Sequence, residues 1–292
     1  MKIALFGIDV QEESMSHIQG LIGKLEIDNG VIYIYQPFYG ALSGRVTFCK
    51  NPIIFNNKEE IQGKVDLIFS IGGDGTILSA ITLVRDSNIP LIGINLGHMG
   101  FLSSISQDQI LFAIDALRQK NYQIDRRTLL TLKSPDDLFG NCNFALNDLV
   151  VHKTDAMSML TVKTWINGEY LNTYWGDGLI VATPTGSTAY SLSCTGPVLT
   201  PNSENFIIAP IASHNLTVRP LVIRDDSIIR IKVEGRGNDF LISLDSRMVK
   251  VNNSVELTIH KADFTINLLR LNEKIFFSTL REKLNWGLDI RN

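Results

Sequence analysis

Apolar positions recur in two rhythms along the 292 residues of the chain. From Lys2 to about Tyr122, short apolar runs alternate with stretches in which apolar residues return every three or four positions. Lys2 to Phe6, Val31 to Tyr35, Val65 to Ile71 and Leu91 to Ile94 read as buried strands, and Ser14 to Leu25, Thr76 to Arg85 and Gln107 to Arg118 as helices. This alternation predicts an α/β domain with a mostly parallel sheet, whose ligands bind beyond the carboxyl ends of its strands. After about Ile124 the pattern changes to short strands between turns. Leu160 to Ile166 and Glu169 to Trp175 flank Asn167 and Gly168, a strong hairpin signal, and Ile228 to Val233, Asp239 to Leu244, Val255 to His260 and Phe264 to Leu268 continue the series. A mainly antiparallel β domain is expected there. Phe276 to Trp286 returns to helical spacing through Phe277, Leu280 and Leu284, and its apolar face predicts packing back on the first domain. The expected division is residues 1–124 with the returning segment 276–292, and residues 125–275.

Composition narrows the partners. The chain is long enough for two cores, with 45% hydrophobic residues, and its 27 basic against 30 acidic residues give a net charge of −3. No long run of one sign appears, and Arg126 and Arg127 read as a solvated strand end, so the footprint of a nucleic-acid or membrane-surface binder is missing. No apolar stretch approaches the ~18 residues of a membrane-spanning helix, and Met1 to Gly7 reads as a first strand, not a signal peptide. Cys49, Cys142 and Cys194 are odd in number and widely spaced, which predicts a reducing compartment and a cytoplasmic location. The histidines at 17, 98, 152, 214 and 260 form no i, i+4 pair and have no cysteine nearby, so no structural metal site is expected.

Gly72, Gly73, Asp74, Gly75 and Thr76 follow the Val65 to Ile71 strand and lead into a helix. Glycines at a strand-to-helix turn let backbone amides approach an anion, as a phosphate-donor loop requires. Asp74 inside that loop points to chemistry as well as binding, since a carboxylate repels phosphate unless a cation intervenes or it has a proton to take. A ligand-free turn, with Thr76 as a helix cap, is the competing reading. Gly97 and Gly100, after the Leu91 to Ile94 strand, form a second loop on the same sheet edge or a plain turn. Asn147 and Asp148 place an amide and a carboxylate inside an apolar β stretch, suited to the vicinal hydroxyls of a ribose or to an edge-strand turn. From Asp177 to Gly196 the chain reads DGLIVATPTGSTAYSLSCTG, a strand running into Thr183, Thr185, Ser187 and Thr188, with Ala189 to Leu192 as a helix start. These hydroxyls, with Tyr190, suit recognition of a sugar and base. The GxSxG elbow, the GxxxxGK[ST] loop and the GxGxxG fingerprint are all absent from the sequence.

Taken together these segments resemble the NAD kinase family: GGDGT at 72–76, NLGHMGFL at 95–102, LND at 146–148, DGLIVATPTGSTAYSLS at 177–193, PIASHNLTVRPLVI at 210–223 and FFSTLREKLNWG at 276–287. GGDGT alone is shared with diacylglycerol and sphingosine kinases, which makes a lipid kinase the alternative, and a non-catalytic dinucleotide sensor is a third reading. The resemblance implies transfer of phosphate from ATP, with Mg²⁺ or another divalent metal, to the 2′ hydroxyl of the adenosine ribose of NAD. It implies Asp74 as general base, Gly75 against the dinucleotide, Asn147 and Asp148 on the adenosine ribose, and Asp177 at the nicotinamide end. Thr188, Ala189, Tyr190, Ser191, Leu192 and Ser193 would surround the dinucleotide, with Thr185 and Ala212 beside them. Residues 1–124 would then hold the phosphate donor and catalytic loop, and 125–275 the dinucleotide. A homo-oligomer, dimer or tetramer, is implied as well. Trp175 stands where several bacterial relatives carry a basic residue and Arg247 where some carry Gln, which leaves the preference between NAD and NADH open. Asp148 replaces a glutamate found in many relatives, with the same charge.

Overall fold

The computed structural model describes all residues except 98–99, 104, 156–158, 236–238, 272–275 and 286–292. Its elements run, in order, β1 (Lys2–Phe6), α1 (Met15–Ile27), β2 (Val31–Tyr35), α2 (Gln36–Leu42), β3 (Ile53–Phe55), α3 (Lys58–Ile61), β4 (Leu67–Ile71), α4 (Asp74–Val84), β5 (Leu91–Asn95), β6 (Ile105–Ser106) and α5 (Ile110–Arg118). There follow β7 (Tyr122–Ser134), β8 (Phe144–Ala145), β9 (Asp148–Lys153), β10 (Leu160–Ile166), β11 (Glu169–Gly176), β12 (Gly178–Ala182) and α6 (Tyr190–Ser193). The chain closes with β13 (Asn205–Ile211), β14 (Leu221–Arg224), β15 (Ile229–Gly235), β16 (Asp239–Leu244), β17 (Arg247–Asn252), β18 (Glu256–Leu271) and α7 (Phe276–Leu284).

Two compact units result, one formed by Met1–Arg126 with Ile266–Asn292 and the other by Arg127–Thr265. In the first, β5, β4, β1, β2 and β3 lie side by side and parallel. The end of β18 adds to β5, also parallel, with Leu268 opposite Leu91. Every residue of β4 and β5 is buried, as strands in the middle of a parallel sheet require. Ile18, Leu21, Ile22 and Leu25 of α1 and Ile110, Ala113, Ile114 and Leu117 of α5 share a core with Ile3, Leu5, Phe69 and Ile92 of the strands. The helix α7 belongs to this unit, and Leu280 is its buried residue.

The second unit is antiparallel. One sheet runs β11, β10, β15, β18, and a six-stranded sheet runs β14, β13, β12, β9, β16, β17. Leu160, Val162, Ile231 and Ile259 from the first sheet and Val151, Val181, Ile208 and Ile242 from the second fill one core between them. The opposite face of the six-stranded sheet, with Ile180, Ala182, Ile207 and Ala209, is covered in turn by Cys194 and Leu199. The segment after β12 is therefore held against a buried sheet face.

The observed class is the expected one, α/β with a parallel sheet followed by antiparallel β and a closing helix. Differences are local. The helix expected from Thr76 begins two residues earlier, so that Asp74 is its first residue. The strands expected at 255–260 and 264–268 are one strand, β18. Trp286, the expected end of the last helix, lies outside the described residues. The short elements α2, β3, α3, β6 and β8 and the strands β7, β13, β14 and β17 were not expected from the sequence.

Candidate active site

Asp74 opens α4 at the carboxyl end of β4, where the sheet presents its ligand-binding edge. Its carboxylate accepts hydrogen bonds from the amides of Phe101 (2.8 Å), Leu102 (3.2 Å) and Ser103 (3.1 Å) and from the Ser103 hydroxyl (2.9 Å). The loop after β5 thus closes on Asp74, so of the two readings of the glycines at 97 and 100 the loop on the shared sheet edge holds, not the plain turn. Gly100 is required for that approach: a Cβ there would stand 2.0–2.2 Å from the Asp74 carboxyl group. Thr76 does not cap the helix through its side chain; the capping position is Gly73, with no side-chain hydrogen bond. Gly72, Gly73 and Gly75 leave the start of α4 open to an anion, with amides of the first turn unsatisfied by side chains.

The second unit gathers the remaining candidates. Leu146, Asn147 and Asp148 make a turn whose three amides all donate to the buried carboxylate of Asp245, at 3.0, 2.7 and 3.4 Å. The Asp245 amide donates back to the Asp148 carbonyl at 3.0 Å. Thr183 fixes the turn from the other side, its amide donating to Asn147 O at 2.9 Å and its hydroxyl to Leu146 O. Gly186 lies so close that a Cβ would stand 2.0 Å from Asn147 O. Asp148 itself is 5% exposed. Burial, and then the charge of Asp245, push its carboxyl up to about 7.

From Thr185 to Thr188 the chain is a 3-10 turn leading into α6. Thr185 accepts from the Arg127 guanidinium at 3.1 Å, and Thr188 donates to Thr185 O at 3.2 Å. Arg127 is therefore not the solvated strand end that the sequence suggested: it is buried within β7, its charge directed to the Thr185 hydroxyl, while Arg126 is exposed. Ser187 is consumed structurally, donating to Pro184 O at 2.7 Å and accepting from the Leu199 amide at 3.0 Å. The buried Ser191 hydroxyl has no hydrogen-bond partner among the described residues. Ala189 and Leu192 are half-buried, Ser193 is exposed, and Tyr190 is 40% exposed. Burial raises the Tyr190 hydroxyl, and Cys194, Asp177 and Asp148 add to the effect. Asp177 is held by Lys153 at 2.6 Å, and Ala212 is exposed with φ +44° at the end of β13. Asn147, Asp148 and Thr185 are therefore brought to one end of the six-stranded sheet, whereas Asp177 precedes β12 at the other end, beside Lys153, and Tyr190 lies close enough to both carboxylates to feel their charge. Asp245, Arg127 and Lys153, which position them, left no local pattern in the sequence.

Arg247 is held within the second unit by its own contacts. Its guanidinium donates to the carbonyls of Cys142 and Phe144, lies over the Phe144 ring and stands 3.8 Å from Asp245. Among the described residues no group of three or more His, Cys, Asp or Glu converges as a metal site, and no helix is long and apolar enough to cross a membrane.

Residues 50–122 match the ATP-NAD kinase N-terminal domain and residues 146–271 the ATP-NAD kinase C-terminal domain. The NAD kinases of Cytophaga hutchinsonii and Flavobacterium psychrophilum are 45% and 44% identical to this chain, with all of both chains covered. The chain belongs to the NAD kinase family. Within that family the fold is shared with distant members. A yeast NADH kinase complexed with NADH superimposes with a TM-score of 0.87 at 23% identity, covering 100% of this chain and 89% of that one. An Archaeoglobus fulgidus NAD kinase in complex with ATP gives 0.74 at 25% identity, covering 98% and 99%.

Proposed function

We propose that this NAD kinase transfers the terminal phosphate of ATP to the 2′ hydroxyl of the adenosine ribose of NAD, with Asp74 as the general base. The observation that carries this reading is the position of Asp74, a single carboxylate at the head of α4 inside a glycine loop. A ribose hydroxyl is a poor nucleophile at neutral pH, and a positioned carboxylate that takes its proton contributes roughly 10²- to 10⁴-fold in rate. A carboxylate offers about four acceptor sites, and the loop at 101–103 fills them here. The substrate hydroxyl must therefore replace one of these donors as it binds. Gly72, Gly73, Gly75 and Thr76 hold the donor's phosphates with backbone amides. A divalent metal carried on those phosphates supplies charge neutralisation when bound. The ATP complex of the Archaeoglobus fulgidus relative supports a nucleoside triphosphate as donor.

Asn147 and Asp148 hold the adenosine ribose, the amide donating and accepting and the carboxylate accepting from both hydroxyls. Asp177 contacts the nicotinamide end, and Thr185, Thr188 to Ser193 and Ala212 border the dinucleotide. A lipid kinase would share GGDGT, but residues 146–271 match the NAD kinase C-terminal domain, which favours a dinucleotide acceptor. A homodimer or homotetramer, implied by the family resemblance, belongs to the same proposal and is checked by sedimentation.

The test is a coupled assay for NADP formation from NAD, ATP and Mg²⁺, with Asp74→Asn beside the wild type. The variant is expected to fold, to bind NAD and to lose about 10²-fold or more in kcat. Wild-type kcat in Asp74→Asn would remove the base, and absence of NADP from the wild type would remove the reaction.

A further inference from the structure

The donors that surround Asp74 are not equivalent. Its Oδ2 accepts from the amides of Phe101 at 2.8 Å and Leu102 at 3.2 Å. Its Oδ1 accepts from the amides of Leu102 at 3.2 Å and Ser103 at 3.1 Å, and from the Ser103 hydroxyl at 2.9 Å. A carboxylate oxygen has about two lone pairs, so Oδ1 is overfilled where Oδ2 is merely full. The three amides belong to one backbone stretch, and none of them withdraws without its neighbours. Among the described residues the Ser103 hydroxyl is the only side-chain donor on Asp74, and it leaves by rotation about χ1 with the backbone in place.

A place for the displaced hydroxyl is built into β4. Ser70 is fully buried, and its hydroxyl has no hydrogen-bond partner among the described residues. A hydroxyl buried in that state is unfavourable and calls for a physical reason. Ser70 stands opposite Gly93 of β5 in a parallel pair, so its side chain projects to the face on which a Gly93 side chain would lie. On that face a Cβ at Gly93 would stand 2.5 Å from Ile77 Cδ1 of α4 and 2.9 Å from Ser103 Cα. Ser103, itself 4% exposed, therefore packs on the same side of the sheet as the Ser70 hydroxyl, one strand across, and adjacent strands are about 4.8 Å apart.

We infer that Ser103 is a positioning residue, whose hydroxyl holds the proton-accepting position on Asp74 Oδ1 until the ribose hydroxyl displaces it towards Ser70. This rests on the reading of Asp74 as general base. The 2′ hydroxyl then donates to Oδ1 and passes its proton there as its oxygen bonds to the terminal phosphorus and the bond to ADP breaks. Ser103→Ala vacates that position in advance, so the Kd for NAD, measured by calorimetry on the folded enzyme, is expected to fall about threefold to tenfold. A hydroxyl that only supported the loop would give the opposite sign. Ser70→Ala removes the receiving oxygen and is expected to raise the Kd for NAD about threefold in the wild-type background and to have no effect in Ser103→Ala, where there is no hydroxyl to receive. Ser103→Cys, close in shape and a weak donor, is expected to fall between wild type and Ser103→Ala, and it decides the matter if Ser103→Ala does not fold. Unchanged or weaker NAD binding in the folded Ser103 variants, or equal effects of Ser70→Ala in both backgrounds, would overturn the role of Ser103 alone. Wild-type kcat in Asp74→Asn would instead overturn the base reading on which it rests.

Discussion

Asp148 and Asp245 are neighbouring buried carboxylates with unequal support. Burial raises both, but three backbone amides and the Arg247 guanidinium oppose that rise at Asp245, whereas the Asp148 carboxylate has no hydrogen-bond partner among the described residues and reaches about 7. The folded value at Asp148 lies above the ordinary aspartate value of about 4, so the native state binds the extra proton between about pH 4 and 7. Its contribution to stability is present at the acid end of that window and is lost as pH rises through about 7. The proposed ribose contact runs the other way, since accepting two hydroxyl protons requires the ionised form. The KM for NAD is expected to climb as pH falls below about 7, approaching tenfold per pH unit well below it, with the KM for ATP much less affected. Asp148→Asn should melt higher than the wild type at about pH 8 and lose that advantage at about pH 5, which thermal scans at the two values would check. The polar turn at Asn147 and Asp148 was legible in the sequence because polar residues interrupt an apolar run. Asp245 was not, because the amides it holds lie 97 to 99 residues away and such a contact leaves no local period.

At the scale of elements, glycine carried the most information. Gly72 to Gly75 between an apolar run and a helical pattern marked the β4 to α4 turn, and Asn167-Gly168 marked the β10 to β11 hairpin, where both residues have positive φ. Short elements escaped because four to seven residues of α2 or α3 are too few to establish a period. β18 read as two strands because Lys261, Ala262 and exposed Asp263 interrupt its apolar alternation. The contact between the 3-10 turn after β12 and the turn before β9 supplies a test at this scale. Gly186→Ala puts a methyl group against the Asn147 carbonyl, a backbone atom with little freedom to yield. A loss of about 1–3 kcal/mol in chemical denaturation is expected, together with a rise in the KM for NAD. Gly20→Ala is the control, since Gly20 is an exposed position of α1 where an added methyl group meets nothing, and it should produce neither effect. Equal stability of Gly186→Ala and the wild type would show that the two turns separate readily.

At the scale of the whole molecule, the change from helical to strand rhythm near Ile124 located one passage between units, and the strand texture through Leu268 concealed the other. The first unit takes its parallel strand beside β5 from residues past Thr265, as well as α7. This has a consequence for how the protein is made. When Arg126 leaves the ribosome, β6 already pairs with Ile94 and Asn95 of β5, but the start of β5 at Leu91 still lacks its β18 neighbour, and that strand lies beyond the entire second unit. At roughly 5–20 residues per second, synthesis of the intervening residues takes about 7–28 s. Throughout that interval the edge of β5 at Leu91 depends on the nascent chain's surroundings for cover. The second unit, whose residues are contiguous, can close first, so the half that begins the message is the half that finishes folding last. Purified chains truncated after Thr265 are expected to show protease sensitivity at the start of β5 with a protected six-stranded sheet, and the full chain should protect both.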